Sequence, residues 1–276
     1  MELPLPAALD RLADRGWPAL EREALGPWVL RAAGGVTNRA NSVLAIGDPD
    51  PGPGSGSGSA DIAEAVDAAE RWYAMRALPT VFQVSPAASG ALVRELGRRG
   101  YREHSETAVL VAERAAVAAT LGVSASGHAA DAPGAASDVS VATSPSRGWL
   151  DTWWAVDGRG GAAERATVEG ILAGGPALYA WAGASADPDA VARLALADDW
   201  GGLYAVATLP RARRRGLARR LAVALAGASA SAGVERLWLQ VVAANAPALA
   251  LYEGLGFTPA SRYSYWEQAR GREQWR

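Results

Sequence analysis

Six arginines fall between residues 211 and 220, and a single glycine, Gly216, interrupts them. The segment Arg213-Arg214-Arg215-Gly216-Leu217-Ala218 leads into a predicted helix whose apolar ridge continues as Leu217, Leu221 and Leu225. Backbone N–H groups in a first helical turn have no partners inside the helix, and they carry the positive end of the helix dipole. Such a start suits a pyrophosphate. Gly216 and Ala218 keep side-chain bulk away from a ligand, and the arginines add donors whose planar fork matches phosphate oxygens. Taken alone, the same cluster also reads as a solvated cationic face. Other chemistries have little material: the chain has no cysteine and two histidines, His104 and His128, far apart in sequence. Thiol catalysis, disulfides and thiolate metal sites are excluded, and a transition-metal site is not expected.

The elements around the turn must place it beside a strand. An apolar strand from Leu203 to Thr208 precedes it, and a second strand, Leu237 to Val241, follows the helix. Directly after that strand come Asn245, Ala248, Leu251-Tyr252 and Leu255-Gly256-Phe257, spaced N-x-x-A-x-x-L-Y-x-x-L-G-F. With Pro210, Arg213, Gly216 and Ala218 upstream, in the order P-x-x-R-x-x-G-x-A, this pair of motifs resembles the GNAT N-acetyltransferases. That superfamily moves an acetyl group from acetyl-CoA to an amine. The resemblance implies an α/β (α+β) fold with a mixed, mostly antiparallel sheet flanked by helices. It implies that the main chain of Val206, Ala207 and Thr208 holds the pantetheine arm of acetyl-CoA like an added strand. The amides and side chains of Arg213, Arg214, Arg215, Gly216, Leu217, Ala218 and Arg219 would hold its pyrophosphate. Asn245 matches the family asparagine that orders the cofactor. Tyr252 matches the tyrosine that protonates the departing thiolate, a role open to a phenol because its pKa near 10 keeps it protonated at neutral pH. The alternative for Tyr252 is a packed helix aromatic beside Leu251, Leu255 and Phe257.

The general base is the weak point of the match. Many GNAT enzymes carry a glutamate on the second strand, and this chain has Gln240 there. An alkyl amine of pKa about 10.4 is mostly protonated at pH 7, and freeing it costs roughly 4 to 5 kcal/mol. Asp199 or Asp198, ahead of the first strand, is a candidate substitute; a water chain or an amine of low intrinsic pKa is another. The same departure allows a second reading, a non-catalytic protein that binds acyl-CoA as a sensor or partner module.

The remaining sequence divides in two. With 276 residues, half of them apolar, there is room for two ordinary domains. Residues 81–101, VFQVSPAASGALVRELGRRGY, lie beside residues 238–257, WLQVVAANAPALALYEGLGF, as strand, Gln-Val, helix, glycine and aromatic. Either this is an internal duplication, giving two GNAT-like units in tandem, or it is a coincidence of strand-helix-strand patterns. Under duplication the first copy lacks the chemistry, having Leu96 in place of Tyr252 and a Gly-Ser loop, residues 52–59, in place of the arginine turn. The expected layout is a degenerate N-terminal domain over residues 1–119, a small-residue linker over 120–137 that includes His128, and a catalytic domain over 138–276.

Helices are expected over residues 6–15, from Asp61 and from Ser85-Pro86, with strands at 28–33, 40–46, 80–84, 107–111 and 139–142. Trp149 to Leu172 should be helical with a break at residues 158–161, followed by a hairpin of 177–183 and 191–197. Trp149, Trp153, Trp154, Tyr263, Tyr265 and Trp266 either wall a cleft or fill a core. The polar run from Thr37 to Ser42 either reaches a cleft or forms a turn held by asparagine side chains.

A formal net charge of -2 and a pI near 5.8 argue against a chain that coats nucleic acid. All basic side chains are arginine, which reads as a GC-rich coding bias. No stretch approaches 18 uninterrupted apolar residues, so the expectation is a cytoplasmic protein without membrane contact, monomeric or homodimeric, acting on a small-molecule or protein amine.

Overall fold

The computed structural model describes residues 4–49, 58–120 and 139–268. Most of the Gly-Ser loop, the linker with His128, and the side chain of Asp61 lie outside the described residues. Two compact units are present.

The first unit contains α1 (Leu5–Gly16, up to Asp14), β1 (Glu21–Leu25), β2 (Trp28–Ala32), β3 (Val43–Leu44), α2 (Gly58–Ala74), β4 (Val81–Val84) and α3 (Gly90–Arg98). It also contains the early part of β5 (Tyr101–Glu113) and most of β11 (Thr258–Gln268). β1, β2 and β3 pair antiparallel in turn, β3 pairs parallel with β4, and β11 lies antiparallel against β4. The apolar face of α2 is buried: Ile62, Val66, Ala69 and Tyr73 pack with Trp28, Phe82, Leu92, Leu96 and Tyr101. α3 begins later than expected. Ser89 caps it, accepting from the Leu92 N–H, because Ser85 instead donates to Asp10. The run Thr37 to Ser42 is a turn: Asn41 Oδ1 accepts from the Ala33 and Gly35 N–H groups at 2.7 and 2.8 Å.

A polar network crosses this unit. Arg31, 1% exposed, donates to the Ser42 carbonyl (2.9 Å), Ser42 Oγ (2.8 Å), Gln83 Oε1 (2.9 Å) and Asp14 (3.3 Å). Burial pushes the Asp10 carboxyl up to about 6, against a partial counter-effect from the Ser85 hydrogen bond and Arg31. A carboxyl whose folded pKa exceeds its unfolded value stabilises the fold below pH 4, and that contribution is lost as pH rises toward 6. The loss is on the order of 3 kcal/mol at 1.36 kcal/mol per unit. Asp10→Asn should therefore gain stability relative to the parent chain between pH 4.5 and 7.5, read from urea midpoints; parallel pH profiles for the two would refute the assignment.

The second unit contains Arg15–Trp17, the later part of β5, α4 (Arg114–Ala119), β6 (Val139–Ala142), α5 (Arg147–Asp157), α6 (Ala162–Ala173), β7 (Ala177–Ala184) and β8 (Asp187–Ala197). It continues through β9 (Trp200–Thr208), α7 (Leu217–Ala228), β10 (Arg236–Val242), α8 (Ala246–Glu253) and the first residues of β11. Its strand order is β5-β10-β9-β8-β7-β6, antiparallel from β6 through β9 and parallel between β9 and β10. Leu217, Leu221 and Leu225 are buried as the ridge of α7, which packs against β6 to β9 and α4. α5 covers β8 and β9, with Trp149 fully buried and its indole N–H on the Ala180 carbonyl.

Both units repeat one order. β2-β3-α2-β4-α3 corresponds to β8-β9-α7-β10-α8, with the antiparallel pair first and the parallel pair after the helix in each. The fold is thus a tandem of two units with mixed, mostly antiparallel sheets. The next strands do not stay in sequence. β5, which follows α3, continues into the second unit beside β10, and β11, which follows α8, continues into the first beside β4.

Candidate active site

The second unit opens where its two parallel strands part. β9 and β10 are in register only from Trp200 to Leu203 against Arg236 to Leu239. Beyond that, Tyr204–Thr208 and Gln240–Val242 no longer pair with each other, though β9 still pairs with β8 through Thr208. A β-bulge helps to drive the separation. Val191 faces Ala207 while Arg193 faces Tyr204, so β9 holds one extra residue, and Ala205 takes φ 52°. A bulge bends its strand and increases local twist. An alanine in the left-handed region costs about 1 to 2 kcal/mol, strain of the kind that gathers at functional sites. Main-chain groups need partners when buried, so the parted edges around Val206, Ala207 and Thr208 form a slot for an extended polar chain.

The arginine turn stands at the end of this slot. A 3-10 turn at Pro210–Ala212 leads to Arg214 at φ 64° and Gly216 at φ 72°, the latter as N-cap of α7. Alternating backbone of this kind gathers successive N–H groups into an anion-binding concavity. A Cβ on Gly216 would have nothing within 4 Å, so the space over the helix start is open. By helix geometry the N–H groups of Leu217, Ala218 and Arg219 face it without intrahelical partners.

The arginines sort into different duties. Arg211 pairs with Asp187 and Asp189 at 3.0 Å, and Arg215 pairs with Asp189 at 3.2 Å, both exposed. Arg219 donates to the Gly254 carbonyl at 3.0 Å and so ties the start of α7 to the end of α8. Arg213 Nε reaches the Thr208 carbonyl at 3.4 Å. Arg214 is exposed and has no side-chain partner among the described residues. The carboxylates of Asp187 and Asp189 escaped the sequence reading, which gave this stretch no part in the site. An Asp-x-Asp facing an arginine cluster was the available signal.

After β10, Asn245 caps α8: its Oδ1 accepts from the Ala248 N–H at 3.2 Å. Tyr252 is buried on α8, its ring edge-on to Phe257 at 5.8 Å, and burial pushes its phenol up to about 12. Gln240 lies in the parted stretch of β10, and both polar atoms of its carboxamide are buried with no hydrogen-bond partner among the described residues.

Asp198 and Asp199 sit at the other end. They form the turn before β9, nine residues from Thr208, or ~30 Å along an extended strand. Asp198 is bound by Arg15 at 2.6 and 3.1 Å, which holds its carboxyl below the usual range. Asp199 accepts from Arg236, whose guanidinium stacks 4.4 Å over Trp200. Val206–Thr208 and Gln240 thus lie on the parted ends of β9 and β10, with the arginine turn following β9, while Asp199 is at the opposite end of the strand. The aromatic residues divide by depth: Trp149, Trp153, Tyr263 and Tyr265 are buried, and Trp154 and Trp266 are half-buried.

These features agree with what the chain is similar to. The family model described as "Probable histone acetyltransferase Rv0428c C-terminal" matches residues 7–266. An uncharacterized N-acetyltransferase, YobR, of Bacillus subtilis is 26% identical over 263 residues, covering 93% of this chain and 96% of the relative. The ribosomal protein bS18-alanine N-acetyltransferase of Salmonella typhimurium is 46% identical over 72 residues, 26% of this chain and 49% of the relative, so the chain spans about half the length of that relative. Among solved structures, a GCN5-related N-acetyltransferase from Kribbella flavida aligns with a TM-score of 0.65 at 18% identity, over 99% of this chain and 98% of that one. A tandem GNAT protein from the clavulanic acid biosynthesis pathway aligns at 0.56 and 14% identity, over 96% and 89%, and both likenesses are of fold. The chain belongs to the Rv0428c C-terminal family and is a GNAT-superfamily N-acetyltransferase.

Proposed function

We propose that the chain transfers an acetyl group from acetyl-CoA to a primary amine by direct attack. The observation that carries this reading is the slot itself: two parallel strands that part after Leu203 and Leu239, next to a glycine-started helix ringed by arginines. Its shape fits the group proposed for it. A pantetheine arm is an extended chain of amides, matched by the edge of β9 at Val206, Ala207 and Thr208 that no longer pairs with β10. A pyrophosphate is matched by the amides of Leu217, Ala218 and Arg219 over open space, with Arg213, Arg214 and Arg215 supplying charge. Bound acetyl-CoA would supply an acyl group activated as a thioester. Tyr252 is assigned as hydrogen-bond donor to the leaving sulfur, and Asn245 as the residue that sets the start of α8 and so aims Tyr252. Asp199 has no part in the reaction so assigned.

An amine on a protein is one fitting acceptor, since the bS18-alanine relative and the family description both name enzymes of protein amines. The test is thiol release from acetyl-CoA over a panel of amines, with calorimetry of CoA alongside. Turnover with at least one amine is the expected result. Arg213→Ala combined with Arg214→Ala should weaken CoA binding about tenfold or more, the weight of two charge-assisted contacts. CoA affinity without turnover on any amine would instead identify an acyl-CoA-binding module, and no CoA affinity would defeat both readings.

A further inference from the structure

Gln240 is a polar group with nothing to hold. Its carboxamide offers an acceptor and two donors, yet neither Oε1 nor Nε2 has a partner among the described residues, and both atoms are shielded from solvent. Native proteins nearly always satisfy such a group with protein, water or ligand, because burial strips it of solvent without return. The glutamine at the matching place in the first unit, Gln83, accepts a hydrogen bond from Arg31. Gln240 instead stands just past Leu239, where the ladder to β9 has ended. Strand alternation puts it on the same face as Trp238, whose indole N–H donates to the Tyr204 hydroxyl at 3.2 Å and whose ring packs onto Gly202. The two carboxylates ahead of β9, Asp198 and Asp199, are engaged by Arg15 and Arg236 at the other end of that strand.

We infer that Gln240 is the residue that receives the acceptor amine, and that the acceptor is a peptide α-amino group and not a lysine side chain. The inference rests on the acetyl-transfer reading. Oε1 accepts a hydrogen bond from an amine N–H and orients the nitrogen lone pair, but a carboxamide takes up no proton at usable pH. The site therefore selects amines that are already free bases. An α-amino group has a pKa of about 7.7 to 8.0, a lysine about 10.4. In the reaction the nitrogen lone pair forms the C–N bond to the acyl carbon as the C–S bond breaks. The sulfur leaves with that bond's electron pair and takes a proton from Tyr252. The extra proton on nitrogen passes through solvent and restores the phenol.

The experiment uses the full chain, acetyl-CoA and thiol release at pH 7.5. One acceptor is an unblocked alanyl tripeptide without lysine, the other an Nα-acetylated lysine amide. At that pH roughly a third of the α-amines but only about one in a thousand lysine amines is unprotonated. The greater nucleophilicity of the lysine nitrogen offsets part of this, so kcat/KM for the α-amine should be at least tenfold higher. Gln240→Ala should raise KM for the tripeptide several-fold and leave CoA affinity unchanged. Gln240→Glu, which adds a proton acceptor at the same place, should narrow the preference. Wild-type turnover of the lysine amide equal to or above the tripeptide overturns the substrate class while leaving acetyl transfer standing. Unchanged kinetics in Gln240→Ala would assign the carboxamide to water and also overturn the proposal. CoA binding with no thiol release from either acceptor, or from any other amine, would overturn the acetyl-transfer reading itself.

Discussion

Tyr252→Phe should lower kcat about a hundredfold and leave the affinity for CoA unchanged. The size follows from removing a positioned proton donor, which contributes roughly 10² to 10⁴ in rate. The direction of the kcat effect follows from burial. With its pKa pushed up to about 12, the Tyr252 phenol is a neutral donor throughout the physiological range. An alkyl thiol titrates near about 8.5, so outright proton transfer from such a phenol to a finished thiolate is uphill by more than 4 kcal/mol. Tyr252 therefore acts as a hydrogen-bond donor while charge builds on sulfur, and the transfer completes as the amine releases its proton. Phenylalanine keeps the ring that packs on Phe257, so the variant isolates the hydroxyl. Steady-state kinetics with calorimetry of CoA decides the matter. Full activity in Tyr252→Phe removes the residue from the reaction; a loss confined to CoA binding makes it a cofactor contact.

Arg31→Ala should cost the first unit about 3 to 5 kcal/mol, the usual penalty for deleting one member of a buried ionic network. Arg31 binds Ser42, Gln83 and Asp14 together, and its side chain is 1% exposed. Its removal leaves the Gln83 and Ser42 acceptors without that donor inside a closed core. Asp14 keeps Arg22, at 2.9 and 2.5 Å, so the charge itself is not stranded. A urea midpoint falling by the corresponding amount, with lost amide protection along β2, is the expected result. A shift below about 1 kcal/mol would mean that water replaces the guanidinium without strain.

Local signals were legible where one short segment suffices to specify its own conformation. Leu217, Leu221 and Leu225 at helical spacing gave the buried ridge of α7, and Gly216 ahead of them marked its start, where the structure adds a left-handed cap. The break at residues 158–161 between α5 and α6 was also legible, through its glycines. Expectations slipped where tertiary pairing decides. β1 is Glu-Arg-Glu-Ala-Leu, exposed up to the half-buried Leu25, and an edge strand of charges shows no apolar alternation to read. β3 is two residues long where a strand over 40–46 was expected, because Asn38–Ala40 winds into a 3-10 turn. β11 carries Tyr263, Tyr265 and Trp266 in a strand where only aromatics trailing a helix were visible. Within the site, motif spacing located the turn and Tyr252, but nothing in an alanine announces the bulge at Ala205. The duties of Arg211, Arg215 and Arg219 depend on Asp187, Asp189 and Gly254, far from the turn in sequence.

The path of β5 and β11 bears on how the chain comes to be folded. Residues 261–268 complete the sheet of the first unit, although some 150 residues separate them from its last preceding strand. A growing chain emerging from the ribosome cannot close that sheet when its N-terminal half has appeared, since the closing strand is synthesised after the second unit. Vectorial folding, in which one domain is finished before the next begins, is ruled out by connectivity. The first unit reaches its final form only after the whole second unit has been synthesised, because residues 261–268 follow it in the chain. Cutting the chain between them would leave each half with an open sheet edge, a template for pairing with other chains.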